Sequence, residues 1–323
     1  MKNEFEIIYK GTTLKDCLNV RKYIGQKIIV VDDKSEYGEC VKIKNCIIEK
    51  RPQLLRISDH LLDILVQMNI HIFVDFVTIN NHIYYKDGIV YEIPGSKNQI
   101  AECSFLTNKD KFLLFQAIKN HKINETIDLS KNAFEMFFKA ICECNDPNLQ
   151  YLKRFISCFE QEKFIYPLYG FKDICETISR CNAVNGVAYY LDENVEISKI
   201  DDKFIIYSKY GNIIGNELKT SETLSKSASG NIKYYRVINY SKEFLYNRFY
   251  GVFDMINYKI HCIALDSEAK ICPNDTYLLY FWKFNSQIED DDIIKIGLKK
   301  EDILFEYSFN TDDEFCYDCV CEK

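Results

Sequence analysis

The order of apolar runs near the N-terminus is the feature that most constrains the fold. An apolar run from Phe5 to Tyr9 is followed by a turn at Gly11, a helical stretch from about Thr13 to Tyr23, and a second apolar run from Lys27 to Val31. A strand, a helix and a second strand in this order form the β-α-β unit that opens a dinucleotide-binding fold. The sequence therefore predicts an α/β domain built around a parallel sheet.

The turn after the first strand departs from a dinucleotide site. Such a site needs Gly at the tight turn, Gly where the backbone approaches the pyrophosphate, and a small residue where the helix packs on the strand. The run here is Gly11-Thr12-Thr13-Leu14-Lys15-Asp16, in which only the first Gly is kept. Thr13 and Asp16 place side chains where phosphate and strand would lie. Asp32 or Asp33 could stand in for the ribose-binding carboxylate, but such residues are more often solvated strand ends, and we expect the fold without a cofactor.

Length, charge and hydropathy exclude several functional classes. A chain of 323 residues with 47% hydrophobic content can bury a large core, either as one large domain with an insertion or as two domains. The net charge of -7, with no clusters of Lys and Arg, argues against nucleic-acid binding. No apolar run reaches the roughly 18 residues that span a bilayer, so any membrane contact should be transient and peripheral. Since no apolar leader lies near Met1 to Val20, we expect a cytoplasmic protein whose 14 cysteines are mostly reduced, buried thiols.

The remaining chain divides into three parts by periodicity. Before residue 104, the pattern predicts one helix and a meander of strands: Asp59 to Met68, then Ile72 to Phe76, His82 to Tyr85 and Ile89 to Ile93. Between residues 104 and 163 the pattern is helical, with candidates at Lys109 to Asn120, Lys131 to Cys144 and Asn148 to Phe159. After it come a strand, an amphipathic helix and a strand: Phe164 to Tyr169, Lys172 to Asn185 and Val187 to Leu191. From Val195 onward, short β-rich segments alternate with polar turns.

The helix after Gly170 has two distinguishable faces. Its apolar side chains lie on one stripe and should face the core: Ile174, Ile178, Cys181 and Val184. Its polar side chains should face outward: Asp173, Glu176, Thr177 and Arg180. Asp173 and Arg180 are seven residues apart, so two helical turns place them on one face.

Three segments carry a resemblance to a known protein family. The first is Gly11 to Cys17, continued by Gly25 to Asp32 and by Ser35-Glu36-Tyr37-Gly38, which is similar to the family's Tyr-Tyr-Gly-Gly turn. The second is Tyr84 to Pro94, similar to a family strand-turn-strand. The third is the most specific: Phe164 to Gly170 contains the family's Tyr-Pro-Leu-Tyr-Gly block, and Arg180, Ala183, Gly186 and Tyr189 follow it. Together, the three segments resemble the family of Rab GDP-dissociation inhibitors and Rab escort proteins.

This resemblance implies a flavoprotein-like (FAD/NAD(P)-binding-type) α/β domain with an inserted small all-helical domain. The domain would comprise residues 1–103 and 164–323, and the helical insertion residues 104–163. The implied function is a Rab GDP-dissociation inhibitor that binds GDP-bound, prenylated Rab GTPases. The implied Rab-binding residues are Tyr37, Asp173, Arg180, Ala188 and Tyr190. Without the block before it, the helix face would be interpreted as an ordinary solvated surface. For Tyr37, a loop aromatic lying over the sheet is an equally good interpretation.

The helical insertion resembles the family's prenyl-binding domain. An isoprenoid is hydrocarbon, so shielding it from water requires an apolar groove between helices, worth about 0.8 kcal/mol per buried CH₂. The candidate groove residues are Phe134, Phe137, Phe138, Ile141, Phe155 and Ile156. Taken singly, each is more simply explained as a core residue of a three-helix unit.

Two alternative functions stay open. Within the same family, an escort protein would present unprenylated Rab to geranylgeranyl transferase. In another class, a flavin-dependent oxidoreductase would share the fold. We find no nucleophile elbow and no metal motif: Cys316-x-x-Cys319-x-Cys321 is half a zinc site without a nearby His, and we expect neither an enzyme nor a bound metal.

Overall fold

The computed structural model describes residues 3–57, 59–120, 130, 133, 164–192, 195–208, 211–221, 232–255 and 257–312. Two large sheets organise this part of the chain. They have six and seven strands, and two short two-stranded ribbons accompany them.

The first sheet carries the predicted β-α-β unit. Its strands, in spatial order, are β10 (Ile197–Ile200), β11 (Lys203–Ser208), β12 (Gly211–Thr220), β1 (Asn3–Lys10), β2 (Ile28–Asp32) and β9 (Ala188–Leu191). The four strands from β12 to β9 are parallel, and β11 and β10 continue the sheet antiparallel. Every residue of β2 is buried, as expected for a parallel strand covered on both faces.

Two helices pack together beside this sheet. They are α1 (Leu14–Val20), which ends in a 3₁₀ turn at Arg21–Tyr23, and α5 (Phe171–Val184). The amide Nδ2 of Asn182 on α5 donates to the Cys17 carbonyl on α1 at 3.0 Å, and Ser179 Oγ lies 3.3 Å from Cys17 Sγ. The helix α1 begins directly after the turn that follows β1. These contacts therefore hold α5 close to that turn.

The second sheet is almost wholly antiparallel and forms the larger core. Its strands, in spatial order, are β17 (Ile303–Asp312), β13 (Ile232–Tyr240), β16 (Tyr277–Phe284), β15 (Lys259–Asp266), β14 (Phe249–Asp254), β6 (Asn81–Lys86) and β7 (Ile89–Glu92). Only β14 and β6 pair in parallel. The β6-β7 hairpin turns at Asp87 and Gly88, both at positive φ, which suits a tight turn between twisted strands.

The remaining elements link the sheets. The ribbons pair β3 (Cys40–Ile43) with β4 (Cys46–Glu49), and β5 (Phe76–Ile79) with β8 (Phe164–Pro167). The other helices are α2 (His60–Gln67), α3 (Lys97–Glu102), α4 (Asn108–Asn120) and α6 (Asp290–Lys295), with 3₁₀ turns at His71–Phe73, Ser267–Ala269 and Lys300–Asp302. Within the described ranges, no helix is long and apolar enough to cross a membrane.

The structure confirms most of the predicted elements and corrects one. The N-terminal β-α-β unit, the helix near residues 59–68, the hairpin, α4 and the β8-α5-β9 series are all present. The predicted strand Ile72 to Phe76 is instead a 3₁₀ turn followed by β5, which begins at Phe76. β5 pairs with β8 rather than with β6, so the expected meander does not form. The helix candidates at 131–144 and 148–159 lie outside the described residues.

Candidate functional site

The loop after β1 is filled by the protein's own carboxylate. Thr13 caps α1, and Asp16, only 2% exposed, accepts hydrogen bonds from the Thr13 amide at 3.0 Å and the Thr13 hydroxyl at 2.6 Å. A Cβ placed on Gly11 would come within 2.4 Å of Asp16 Oδ2. The carboxylate therefore occupies the space against Gly11 where the backbone of a dinucleotide site approaches the pyrophosphate. A diphosphate would meet a negative charge there, and these residues do not fit the cofactor.

The carboxylate at the end of β2 is also engaged internally. Asp32 is buried and accepts a hydrogen bond from the Thr12 hydroxyl at 2.5 Å. Burial raises the pKa of Asp32 above its ordinary value. Asp33 is exposed, and its carboxylate lies 3.9 Å from Lys10 Nζ. Asp32 thus ties β2 to the loop after β1 rather than presenting a carboxylate to a ribose.

The outer face of α5 presents an ion pair and an apolar side chain. Arg180 donates to Glu176 Oε1 at 2.5 Å, and the Arg180 side chain is 75% exposed. Asp173 lies half-buried on the same face, where burial and the charge of Glu176 raise its pKa while Arg180 opposes the shift. Val184 is 89% exposed. The face therefore carries Asp173, Glu176, Arg180 and Val184 at the i, i+3, i+7 and i+11 positions.

Two of these placements correct the predicted faces of the helix. Ile174 and Ile178 are buried as predicted, and Cys181 is partly buried against the same core. Val184, predicted to face the core, is 89% exposed because it lies on the outer face of α5 with Asp173 and Arg180. Thr177, predicted to face outward, is buried.

The loop that carries Tyr37 is fastened to the first turn of α5. Glu36 forms ion pairs with Lys172 of α5 and with Lys42, the latter at 2.5 Å. Gly38 has a positive φ of 79°, and a Cβ there would lie 3.3 Å from the Lys172 Cα. The Gly38 amide donates to the Thr12 carbonyl at 3.0 Å. The loop is thus held between the turn after β1 and α5, and Gly38 permits the close approach.

Tyr37 packs against β9, within electrostatic range of the ion pair on α5. Its ring makes an edge contact with Tyr189 of β9, with centroids 5.9 Å apart. Burial is the main cause that raises the Tyr37 pKa, and the charges of Glu176 and Arg180 act on it in opposite directions. The structure therefore brings Tyr37 close to Glu176 and Arg180, although the loop and the helix are separated by more than 130 residues.

The two strand residues nominated by the resemblance lie elsewhere. Ala188 and Tyr190 pack with the apolar cluster that includes Ile8 and Ile29, whereas Tyr189 packs with the cluster on the opposite face of the first sheet. The Tyr190 hydroxyl donates to Asp192 at 3.1 Å. Because successive strand residues alternate between faces, Tyr189 is the strand residue that meets Tyr37, and Ala188 and Tyr190 are not on that side.

Sequence reasoning did not assign Glu176 or Val184 to the site. The spacing of Glu176 and Arg180 by four residues is a signal for an ion pair and could have pointed to Glu176. The prenyl-binding candidates Phe134, Phe137, Phe138, Ile141, Phe155 and Ile156 lie outside the described residues. The same holds for Cys316, Cys319 and Cys321. Among the residues that are described, no three His, Cys, Asp or Glu side chains cluster as metal ligands would.

Fold comparison first defines the class of protein. The structure superimposes on a Rab GDI from Plasmodium falciparum with a TM-score of 0.70 and 17% identity, over 97% of this chain and 90% of that chain. It also superimposes on an oxidoreductase from Methanosarcina mazei with a TM-score of 0.61 and 15% identity, over 95% and 88% of the two chains. The molecule is an α/β protein of the flavoprotein-like fold.

Sequence comparison then points to the family. The family model for GDP dissociation inhibitor matches residues 144–229. A probable secretory pathway GDP dissociation inhibitor 1 of Schizosaccharomyces pombe is 20% identical over 73% of this chain and 66% of the relative. The Rab proteins geranylgeranyltransferase component A 2 of Homo sapiens is 22% identical over 62% and 39%. The Rab GDP dissociation inhibitor beta of Rattus norvegicus is 20% identical over 61% and 58%.

The chain is therefore similar to members of the family of GDP-dissociation inhibitors and Rab escort proteins. The match spans between 39% and 66% of the length of these curated relatives.

Proposed function

We propose that the protein is a Rab GDP-dissociation inhibitor and not an enzyme. It binds GDP-bound, prenylated Rab GTPases, slows GDP release, and carries them between membranes and the cytosol in vesicle-mediated transport. The observation that carries this proposal is the placement of Tyr37 beside the Glu176–Arg180 pair, on the outside of a fold whose phosphate loop is filled by Asp16.

The chemistry of this face suits a protein partner. Arg and Tyr are enriched among the residues that contribute most to protein interfaces, and Val184 adds an exposed apolar side chain next to them. The Glu176–Arg180 pair is an exposed i,i+4 contact, so it contributes only about 0.3–0.5 kcal/mol to folding. Its charged groups can therefore exchange partners at little cost when a GTPase docks. Tyr37, Asp173 and Arg180 form the centre of this proposed Rab-binding surface.

The proposed function requires that the protein bind GDP-loaded Rab more tightly than GTP-loaded Rab. A partner that bound GDP-loaded and GTP-loaded Rab equally would shift neither population. We propose that the surface grips the switch region in the GDP conformation, which stabilises that conformation and slows nucleotide release. Ala188 and Tyr190 remain predictions; they lie on β9, on the face of the first sheet opposite to Tyr189.

The lipid would be held by the helical part of the chain. We propose that residues 104–163 form this domain between the two parts of the α/β domain, 1–103 and 164–323. Its groove would shield the geranylgeranyl group with Phe134, Phe137, Phe138, Ile141, Phe155 and Ile156. Removing the lipid from the bilayer then makes membrane contact transient and places the complex in the cytosol.

Release of labelled GDP from a prenylated Rab tests the proposal. Wild-type protein should slow release, and Arg180→Ala and Asp173→Ala should each weaken the inhibition. Arg248→Ala is the matched control, because Arg248, which directly precedes β14, forms an ion pair at 2.6 Å with Glu268 of the 3₁₀ turn after β15. An unchanged release rate with wild-type protein, or purification of the protein with a bound flavin, would contradict the proposal.

An escort role is the second candidate, favoured by the similarity to the human geranylgeranyltransferase component. An escort presents unprenylated Rab to the transferase, whereas an inhibitor should ignore Rab without its lipid. A pull-down with unprenylated Rab, with and without transferase, separates the two roles. We expect no retention of unprenylated Rab.

A further inference from the structure

A buried carboxylate lies directly beneath the first turn of α5. Glu49, the last residue of β4, is 3% exposed. Its Oε1 accepts a short hydrogen bond from the Phe171 amide, and its Oε2 accepts one from the Tyr166 hydroxyl at 2.9 Å. A carboxylate at a helix N-terminus satisfies amides that have no partner within the helix. Glu49 is thus the group on which α5 rests.

Gly170, the residue before the helix, leaves the space that this carboxylate occupies. Gly170 has a φ of 80°, and a Cβ there would lie 2.6 Å from Glu49 Oε1 and 3.4 Å from the Tyr166 hydroxyl. Glu49 itself is held on the other side, because its amide donates to the Tyr280 hydroxyl at 3.2 Å. The Tyr280 hydroxyl in turn donates to the Ile47 carbonyl at 3.3 Å. Two strands and a glycine therefore fix the position of one side chain.

We infer that Glu49 is a positioning residue for the partner-binding surface, since its ionised carboxylate holds in place the N-terminus of α5, the helix that carries Asp173 and Arg180. This inference rests on the proposed function. The contacts of the carboxylate in this structure are donors, namely the Phe171 amide and the Tyr166 hydroxyl. On protonation, Glu49 would keep one oxygen to accept from the Phe171 amide and would donate its own hydrogen to the Tyr166 hydroxyl, so both bonds would lose their charge assistance.

A shift of this first turn would move both halves of the surface. Asp173 lies within the first turn of α5, two residues after Phe171. Lys172, between them, pairs with Glu36 and thereby holds the loop that carries Tyr37. The position of this first turn consequently determines where both Tyr37 and the charged groups on α5 lie.

Among the titratable groups packed around Glu49 and Glu49 itself, Glu49 is the group whose pKa lies near neutral pH. Burial raises its pKa to about 7, while the hydrogen bonds from Tyr166 and from the first amides of α5 oppose that shift. Tyr166 and Tyr280 face it from β8 and β16, and burial holds the pKa of each well above its ordinary range.

Three further groups act on this carboxylate. Cys40 on β3 and Cys175 on α5 have raised pKa values, with Cys175 shifted mainly by a hydrogen bond with Cys17 and Cys40 mainly by burial. Glu39, a half-exposed carboxylate in the loop before β3, adds a like charge. The two thiols and the two tyrosines stay protonated through pH 8, so a change in affinity near pH 7 can be assigned by substituting Glu49.

The test measures the affinity of GDP-loaded, prenylated Rab for full-length protein at pH 6 and pH 8. Wild-type affinity should be roughly tenfold weaker at pH 6, since the hydrogen bonds that hold α5 lose their charge assistance when Glu49 is protonated. Glu49→Gln should bind about as weakly as protonated wild type at both pH values. The matched control is Asp292→Asn, which removes another buried carboxylate, 3% exposed, that receives the Glu289 amide at 2.9 Å at the start of α6. This variant should lose stability yet keep the wild-type pH profile.

The outcomes separate this inference from the proposed function. Wild-type protein that binds Rab with equal affinity at both pH values overturns the inference alone. A Glu49→Gln variant whose pH profile follows that of wild type also overturns it. Wild-type protein that binds no GDP-loaded Rab at either pH overturns the proposed function, and the inference with it.

Discussion

Replacing Gly170 by alanine should destabilise the protein through two separable effects. The first is conformational: Gly170 has a φ of 80° and a ψ of -177°, a region essentially restricted to glycine, where another residue costs about 1–3 kcal/mol. The second is steric: the new Cβ would lie 2.6 Å from Glu49 Oε1, so the carboxylate must move and its hydrogen bonds with it. Hydrogen bonds to a charged group contribute about 1.5–3 kcal/mol. We expect a total loss near 3–4 kcal/mol.

A second glycine next to α5 measures the cost of a positive φ in the absence of a steric clash. Gly186, after the other end of α5, also has a positive φ, 94°, but a Cβ there would meet no atom within 4 Å. Gly186→Ala should therefore cost only about 1–2 kcal/mol, the conformational amount. The difference between the two variants, about 2 kcal/mol, measures the displacement of Glu49.

Urea unfolding followed by tryptophan fluorescence provides the measurement. The chain has a single tryptophan, Trp282, which is buried in β16, so its emission reports unfolding of the second sheet. Midpoints are compared at pH 8, where Glu49 is mostly ionised because its pKa is about 7. If Gly170→Ala and Gly186→Ala lose the same stability, the added Cβ at position 170 does not displace the Glu49 carboxylate, and the predicted steric effect is refuted.

Three further predictions concern buried and loop contacts. The pKa of Glu49 in the folded protein is about 7, above its ordinary value of 4.5, so the stability that its neutral form contributes is complete below pH 4.5 and is lost as pH rises through 7. Relative to wild type, Glu49→Gln should therefore gain about 3 kcal/mol of unfolding free energy in urea between pH 4.5 and pH 8. A constant difference between the two proteins would contradict this. Thr12→Val should cost about 1–3 kcal/mol in thermal unfolding, since Asp32 loses its donor at 2.5 Å, whereas Thr12→Ser should restore most of it. Lys172→Met should cost less than about 1 kcal/mol but speed amide hydrogen exchange in the loop that carries Glu36; unchanged exchange would show that this ion pair does not hold the loop.

The parts of the fold that could be predicted are those with a local signature. Buried parallel strands such as β2 appear as continuous apolar runs, and the helix between them has a clear period, so the β-α-β unit was predictable from Phe5 to Val31. The departure at Thr13 and Asp16 from the phosphate-binding pattern was also visible in the sequence. The structure adds how the departure works, because Asp16 turns back onto Gly11.

What could not be predicted depends on contacts between distant segments. The period of α5 placed Val184 on the apolar stripe, but only the packed neighbours determine where the buried surface ends, and Val184 lies beyond it. Strand alternation places Ala188 and Tyr190 on one side and Tyr189 on the other, without indicating which side faces Tyr37. Glu49 is more than 100 residues from Phe171, and no local pattern marks a carboxylate that receives the amide of a distant helix.

The central claim is that this protein binds a Rab GTPase preferentially in its GDP state. Equilibrium affinities of the full-length protein for the same prenylated Rab, loaded with GDP or with a non-hydrolysable GTP analogue, test it most directly. The account predicts at least about tenfold tighter binding of the GDP form, a difference near 1.4 kcal/mol, and a loss of that tight binding in Arg180→Ala. Equal affinities for the two forms, or no measurable binding of either, would contradict it.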